Sequence, residues 1–356
     1  MTAASAAPTA GAGAEAALLE LKEVVKQFPV RSERLFGGKR ETLRAVDGVS
    51  LSVRRGETIG LVGETGCGKS TLARCITRLY DLTSGTVTFA GDDISKLSGR
   101  RLRPYRRRMQ MVFQDPYGSL NPRRRVGSII ADPLAANKVI SGAARKLKVQ
   151  ELMELVGLNP EHFNRFPAEF SGGQRQRIGL ARALALQPDL LVCDEPVSAL
   201  DVSIQAQIIN LLADLQRKLG LSYIFIAHDL SVVQHVSDRI AVMYLGRIVE
   251  IGETEALFRA PRHPYTQALL AAMPEPDPDL ISEDVPITLS GDVPSPIHPP
   301  SGCRFHPRCP RAQSRCRTED PVLSVAAGDD QHHAAACHFP IADIAASHPM
   351  GREDPP

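Results

Sequence analysis

The stretch Gly63-Glu64-Thr65-Gly66-Cys67-Gly68-Lys69-Ser70 limits what this chain can fold into more than any other. It matches G-x-x-x-x-G-K-[ST], the pattern of a phosphate-binding loop. Thr58-Ile59-Gly60-Leu61-Val62 before it reads as a short buried strand, and Ser70 to Leu79 after it as a helix. Glycines let the backbone wrap around phosphates with successive N–H groups turned inward. The helix N-terminus adds partial positive charge. Lys69 can reach the β- and γ-phosphates of a nucleotide, and Ser70 can ligate Mg²⁺. A chance glycine-rich turn is the competing reading, and the flanking strand and helix argue against it. Cys67 lies beside Lys69 and ahead of the helix, and both neighbours favour its thiolate; a small residue that merely fits the loop is the alternative.

Further motifs follow in a fixed order. Met111-Val112-Phe113-Gln114-Asp115-Pro116 comes first, then Phe170-Ser171-Gly172-Gly173-Gln174-Arg175-Gln176-Arg177. Leu190-Leu191-Val192-Cys193-Asp194-Glu195-Pro196 reads as an apolar strand ending in two carboxylates. Ser198-Ala199-Leu200-Asp201 and Ile224-Phe225-Ile226-Ala227-His228-Asp229 complete the series. Asp194 ends a strand where it can hold the Mg²⁺ shell, and Glu195 can orient or deprotonate an attacking water. His228 also follows an apolar strand, so it reaches the same C-terminal edge of a parallel sheet, where α/β ligand sites form.

Together these segments resemble the ABC ATPase family over roughly residues 20 to 260: Walker A, Q-loop, signature, Walker B, D-loop and switch histidine. The resemblance implies ATP and Mg²⁺ as ligands, with Gly63 to Thr71, Gln114 and Asp194 around one nucleotide. It makes His228 the γ-phosphate sensor, although a lone histidine is usually a surface or packed residue. It puts Gln114, otherwise an ordinary polar loop residue, at the Mg²⁺ site and toward membrane subunits. It implies that Ser171, Gly172 and Gly173, with Gln174 and Asp201, serve an ATP sandwiched with a second ATPase subunit. Phe170 replaces the usual leucine at an apolar position. Phe28, in Val25-Lys26-Gln27-Phe28-Pro29, falls where the family stacks an aromatic on adenine; a core phenylalanine competes.

The expected fold is α/β: a P-loop NTPase core with an antiparallel β subdomain and an inserted helical subdomain, plus an irregular Pro/Cys-rich C-terminal module. The 356 residues suffice for one large domain and a smaller one. Residues 1–17 are rich in Ala, Gly, Ser and Thr without a basic start and read as a disordered tail. Residues 18–260 read as the ATPase domain, with helical patterning over about 96–175. Residues 261–356 form the appended module; twelve prolines between Pro261 and Pro310 are too many for long helices. A net charge of +2 gives no reason to invoke nucleic acid. No apolar run is long enough to span a bilayer; the resemblance implies a peripheral subunit on the cytoplasmic face of the membrane. Arg100, Arg101, Arg103, Arg106, Arg107 and Arg108 precede the Q-loop, and Arg123, Arg124 and Arg125 follow it. A solvated face is the favoured reading for most; some proximity to membrane subunits or anionic headgroups is the alternative.

Gln114-Asp115-Pro116-Tyr117-Gly118-Ser119-Leu120-Asn121-Pro122, Met243-Tyr244-Leu245-Gly246, His263-Pro264-Tyr265-Thr266 and Gly302-Cys303-Arg304-Phe305-His306-Pro307-Arg308-Cys309-Pro310 narrow the resemblance. They look like ATPase subunits of oligopeptide and dipeptide importers, the second of their two types. The implied partners are a different ATPase subunit, two membrane permeases and an extracytoplasmic peptide-binding protein. Nickel or another small solute is the alternative cargo. A nucleic-acid-associated ABC ATPase is disfavoured, because the chain has one cassette and its Pro-rich tail lacks interleaved aromatics.

Seven cysteines divide between the core (Cys67, Cys75, Cys193) and the tail (Cys303, Cys309, Cys316, Cys337). Gaps of five, six and twenty residues in the tail do not fit paired zinc spacing. A [4Fe–4S] cluster tolerates varied spacing, and the importer resemblance favours it. Zinc, with His306, His332, His333 or His338 as substitute ligands, and free thiols remain open.

Overall fold

The computed structural model describes residues 17–30, 41–115, 118–198, 200–273, 291–325 and 333–341. The tail expected at 1–17 lies, but for Ala17, outside them. The chain starts with β1 (Leu19–Val30), β2 (Glu41–Val53), β3 (Thr58–Val62), α1 (Lys69–Ile76), β4 (Ser84–Phe89) and β5 (Asp92–Asp93). It continues through α2 (Gly99–Arg108), β6 (Met109–Val112), α3 (Val126–Ala136), α4 (Gly142–Leu155) and α5 (Gly172–Leu184). Next come β7 (Leu190–Asp194), α6 (Val202–Leu219), β8 (Ser222–Ile226), α7 (Leu230–Val236), β9 (Arg239–Tyr244) and β10 (Arg247–Glu253). The C-terminal part holds α8 (Thr254–Arg259), α9 (Pro264–Ala271), α10 (Ser314–Thr318), β11 (Ser324–Val325) and β12 (Ala334–Ala335).

Two sheets result. One is antiparallel, in the order β2-β1-β4-β5; the other runs β11-β12-β10-β9-β3-β8-β7-β6. The strands from β9 to β6 pair in parallel, in the register Leu61 with Ile226 and Asp194 with Ile226. Every residue of β3, β7 and β8 is buried, as expected of parallel strands covered on both faces. Their side chains alternate between two cores. Leu191, Cys193, Tyr223 and Phe225 face the helical side with residues of α3 to α6. Leu190, Val192, Ile224 and Ile226 face α1 and the antiparallel sheet. A Cβ on Gly60 of β3 would lie 2.1 Å from the Val233 side chain of α7, so this strand needs glycine for close helix approach.

Local signals set the helix ends. Ser171 Oγ accepts from the Gln174 N–H at 3.4 Å, and Gln174 Oε1 accepts from the Ser171 N–H at 3.0 Å. This capping box starts α5. Gly220, at φ 65°, ends α6 in the left-handed conformation. β6 lies inside the stretch the sequence reads as helical, and it forms an edge of the central sheet.

The region after Pro261 is less irregular than its prolines suggest. β12 adds to the central sheet beside β10, with Glu250 opposite Ala335, and Tyr265 and Phe305 belong to the helical-side core. Glu250 is fully buried. Its carboxylate accepts from the backbone N–H of Arg262 at 2.7 Å and of His263 at 2.9 Å, and it lies 2.7 Å from His333 Nε2. Arg262 Nη1 in turn donates to the His333 carbonyl at 2.6 Å. One core carboxylate thus fastens two separate tail segments.

Candidate nucleotide site

The phosphate loop joins β3 to α1 at the C-terminal edge of the parallel strands. Gly63 and Gly68 have φ of 148° and 111°. A Cβ on either would sit 2.1 Å from a backbone oxygen, that of Met243 or of Ala45. Only glycine fits there. Thr65 and Gly66 are exposed at the rim, while Cys67 and Lys69 are buried and Ser70 and Thr71 half-buried. Lys69 Nζ donates to the carbonyls of Gly63 at 2.6 Å and Glu64 at 3.0 Å, which keeps its charge against the loop's own oxygens. The Gly246 N–H donates to the Cys67 carbonyl at 2.8 Å, so the Met243–Gly246 segment supports the loop from below.

β7 and β8 deliver the acidic residues and the histidine to this edge. Ser70 Oγ donates to Asp194 Oδ1 at 2.8 Å. Burial pushes the Asp194 carboxyl up, against the opposing effect of the Ser70 hydrogen bond. A hydroxyl and a half-starved carboxylate side by side fit a hard divalent cation that would compensate the burial. Glu195, at φ 47°, turns its side chain toward Gln114, whose Nε2 donates to Glu195 Oε2 at 2.7 Å. His228 Nδ1 lies 3.7 Å from the same oxygen. Five residues scattered from 70 to 228 therefore form two touching pairs, Ser70–Asp194 and Gln114–Glu195, with His228 beside the second. A cleft of about 670 Å³ opens alongside, lined by Gln114, Asp115, Asp194, Arg74, Arg106 and Arg182 among others.

The remaining expected residues lie apart from these pairs. Phe28 is half-buried on β1 and packs edge-on to Tyr80 at 5.6 Å, with Lys26 Nζ 5.0 Å above its ring. Ser171 and Gln174 are exposed and bonded to each other in their cap. A Cβ on Gly172 would approach Leu200, and one on Gly173 would approach Ile204, so the signature turn packs on the start of α6. Asp201 is exposed at the N-terminus of α6. Several arginines have local partners: Arg108 pairs with Asp189 at 2.6 Å, and Arg124 with Asp132.

Two expectations about cysteine change. Cys67 is 4% exposed, and burial pushes its thiol up although Lys69 pulls the other way. The sequence shows the favourable neighbours and not the desolvation that outweighs them. The four tail cysteines line one cavity of about 10 Å³, room for about one water. Burial raises the Cys303 thiol to about 11 and also raises those of Cys309 and Cys337. Among the described residues no group of three or more His, Cys, Asp or Glu is arranged to hold a metal ion. The [4Fe–4S] expectation therefore has no support among the described residues.

Residues outside the six motifs complete the loop's surroundings. The Glu64 N–H donates to Tyr265 Oη at 2.9 Å. Arg308 donates to both carboxylate oxygens of Glu64, at 2.7 and 2.9 Å. Both lie in segments that the sequence marks as distinctive, His263–Thr266 and Gly302–Pro310, without pointing to the loop.

Comparison with known proteins agrees with this geometry. Residues 46–198 match the ABC transporter family model, and residues 249–316 match the C-terminal region of oligopeptide/dipeptide transporters. The probable peptide ABC transporter ATP-binding protein y4tS of Sinorhizobium fredii is 54% identical over 93% of this chain and 92% of its own length. The oligopeptide transport ATP-binding protein AppF of Bacillus subtilis is 52% identical over 90% of this chain and 97% of its own. The di/tripeptide transport ATP-binding protein DppF of Pseudomonas aeruginosa is 50% identical over the same shares. Among solved structures, the dimeric bacterial ABC transporter cassette MJ0796 is 28% identical, with a TM-score of 0.59 over 66% of this chain and 98% of its own. A P-loop core flanked by two unlike sheets and a helical side, a carboxylate pair at its edge and relatives at this identity have one meaning: the chain belongs to the ATP-binding subunits of the oligopeptide/dipeptide ABC transporter family.

Proposed function

We propose that this chain binds and hydrolyses ATP to power the uptake of di- and oligopeptides through membrane permeases. The observation that carries the reading is Glu195, held by Gln114 and flanked by His228, beside the Ser70–Asp194 pair and the phosphate loop. The phosphates of ATP occupy the loop, and Lys69 exchanges its contacts to the Gly63 and Glu64 carbonyls for phosphate oxygens. Ser70, Asp194 and Gln114 are the residues to hold Mg²⁺, which would neutralise charge on the phosphates. Glu195 Oε2 takes a proton from a water as its oxygen attacks the γ-phosphorus and the bond to the β-phosphate oxygen breaks. His228 reports the γ-phosphate. The Gln114–Glu195 hydrogen bond gives a physical link between this base and the adjoining cleft, the face suited to a permease.

Further parts of the reading rest on the family. Two ATPase subunits, this one and a different one, sandwich two ATP molecules. Ser171, Gly172, Gly173, Gln174 and Asp201 serve the partner's nucleotide, and Phe28 stacks on adenine. The chain divides into an ATPase body at 18–260, whose helical subdomain is the stretch about 96–175, and a module at 261–356. Among the described residues no helix is long and apolar enough to cross a membrane, which suits a peripheral subunit on the cytoplasmic face. An extracytoplasmic binding protein supplies the peptide; nickel or another small solute is the competing cargo. Iron–sulfur chemistry has no part in the reading.

Vesicles containing the permeases and both ATPase subunits test it. Peptide delivered by its binding protein should stimulate ATP hydrolysis and accumulate, and Glu195→Gln should abolish both while ATP stays bound. Undiminished hydrolysis at this chain's site in Glu195→Gln would sink the catalytic assignment, and uptake of metal instead of peptide would sink the cargo.

A further inference from the structure

Glu64 sets a problem for a phosphate-binding loop. It puts a carboxylate in a turn that must attract a polyphosphate, and like charges at close range repel. The fold answers with residues from more than 200 positions away. Arg308 closes the turn His306–Arg308, and its side chain is 6% exposed. Its two terminal nitrogens grip both Glu64 oxygens, the two-pronged geometry that only arginine provides. The pair neutralises the carboxylate and fixes its direction.

The same residue is held at its backbone. The Glu64 N–H donates to Tyr265 Oη. Tyr265 is fully buried, with ring centroids 4.7 Å from Tyr244 and 5.4 Å from Phe305. Phe305 begins the turn that ends in Arg308, so one aromatic wedge supports both contacts. The Glu64 carbonyl in turn receives Lys69 Nζ at 3.0 Å. Glu64 is thus gripped at N–H and carboxylate by the C-terminal module, and at its carbonyl it meets the lysine that serves phosphate. A glycine-rich loop loses much freedom on ordering, and apparent affinity falls in proportion to the fraction of molecules whose loop is competent. A brace applied from outside raises that fraction.

We propose that Arg308 is a positioning residue for the nucleotide site: through Glu64, and with Tyr265, it holds the phosphate loop in its binding form, so that the C-terminal module sets the affinity for ATP. This rests on the ATP-binding reading above.

The test measures MgATP binding to the full chain by displacement of a fluorescent nucleotide, and steady-state hydrolysis by the assembled complex. Arg308→Met should raise the Kd and KM for ATP about tenfold, with kcat at saturation within about twofold. Arg308→Lys, which keeps charge without the fork, should cost about threefold. In a Glu64→Ala background the effect of Arg308→Met should shrink below about threefold, because the two act as a unit. If Arg308→Met lowers the melting temperature but leaves Kd unchanged, Arg308 is only a structural anchor and the proposal falls. An undiminished tenfold effect in Glu64→Ala would mean that Arg308 does not act through Glu64, and would overturn it too. Should Arg308→Met fail to fold, Arg308→Lys and Tyr265→Phe carry the same measurement, and unchanged Kd in both refutes it. Lys69→Ala separates the levels. Lost binding there with unchanged Kd in the Arg308 variants defeats only this proposal, whereas intact binding in Lys69→Ala defeats the ATP reading itself.

Discussion

Replacing Glu250 with alanine should detach the C-terminal module from the central sheet. The side chain lies under β12, with no surface exposed. It accepts from two backbone N–H groups at 2.7 and 2.9 Å and meets His333 Nε2 at 2.7 Å. Truncation leaves these three groups without their acceptor. A buried donor left unpaired costs ~1–3 kcal/mol, and three of them would sum to ~3–9 kcal/mol. Water entering the space left by the carboxylate relieves part of this, so the expected loss is ~3–5 kcal/mol, the range for breaking one side of a buried charged network. Glu250→Gln keeps one acceptor oxygen and should lose about half as much. Urea unfolding of the full chain reads the loss. Limited proteolysis should show cleavage between residues 262 and 333 at urea concentrations where the parent resists. A Glu250→Ala chain within ~1 kcal/mol of the parent, with its tail still protected, would refute the view that this carboxylate fastens the tail.

Three other outcomes follow. Glu195→Gln should slow hydrolysis at this chain's site by ~10²–10⁴, the usual worth of a general base, with ATP still retained on filter binding; a rate within tenfold of the parent would remove Glu195 from that role. Cys67 should react with iodoacetamide at least ~10-fold more slowly than an exposed thiol, because burial keeps it neutral; rapid labelling that ATP blocks, read by mass spectrometry, would restore the reactive-thiolate reading. Burial lowers His263 from 6.5 to about 4. Between those values the unfolded chain binds a proton that the folded chain does not, so stability should rise with pH across that window by ~3 kcal/mol. His263→Asn, which can still accept the Tyr265 N–H that His263 Nδ1 accepts at 3.1 Å, should flatten that slope in melts from pH 4 to 7, and an unchanged slope would place the proton elsewhere.

The fold was legible wherever local pattern and burial coincide. β3, β7 and β8 are unbroken apolar runs because parallel strands are covered on both faces, and the turns that follow carry the chemistry. β1 and β2 show no such unbroken buried run. They span 12 and 13 residues, with register shifts between Leu21 and Gln27, and such irregularities break the two-residue alternation that marks a strand. The proline count after Pro261 pointed to irregular structure, yet two-residue strands and five- to eight-residue helices tolerate prolines at their edges. β12 gains its place from pairing with β10, a partner some 80 positions earlier, which no local pattern announces.

The candidate site divides along the same line. Lys69, Ser70, Asp194, Glu195 and His228 stand out in the sequence because each lies in a short motif; Lys69 and Ser70 open α1 after β3, the other three end or follow β7 and β8, and strand order brings these positions to one edge. Arg308 and Tyr265 could not be placed this way, since they reach Glu64 across 244 and 201 residues. For Cys67 burial favours the second of its two readings, a small residue that fits the loop: its charged neighbour is two residues away in sequence, whereas the core that buries it includes residues of β9. Motifs therefore encode what the phosphate loop can bind, and remote residues encode how firmly the loop is held to do so. A chain ending at residue 260 would keep all six motifs and still leave the Glu64 carboxylate bare beside the phosphates. By charge alone it would bind ATP less well than the full chain. On the proposal above, the C-terminal segments that hold Glu64 belong to the nucleotide site in the energetic sense, although none of their residues lies in a motif that names the site.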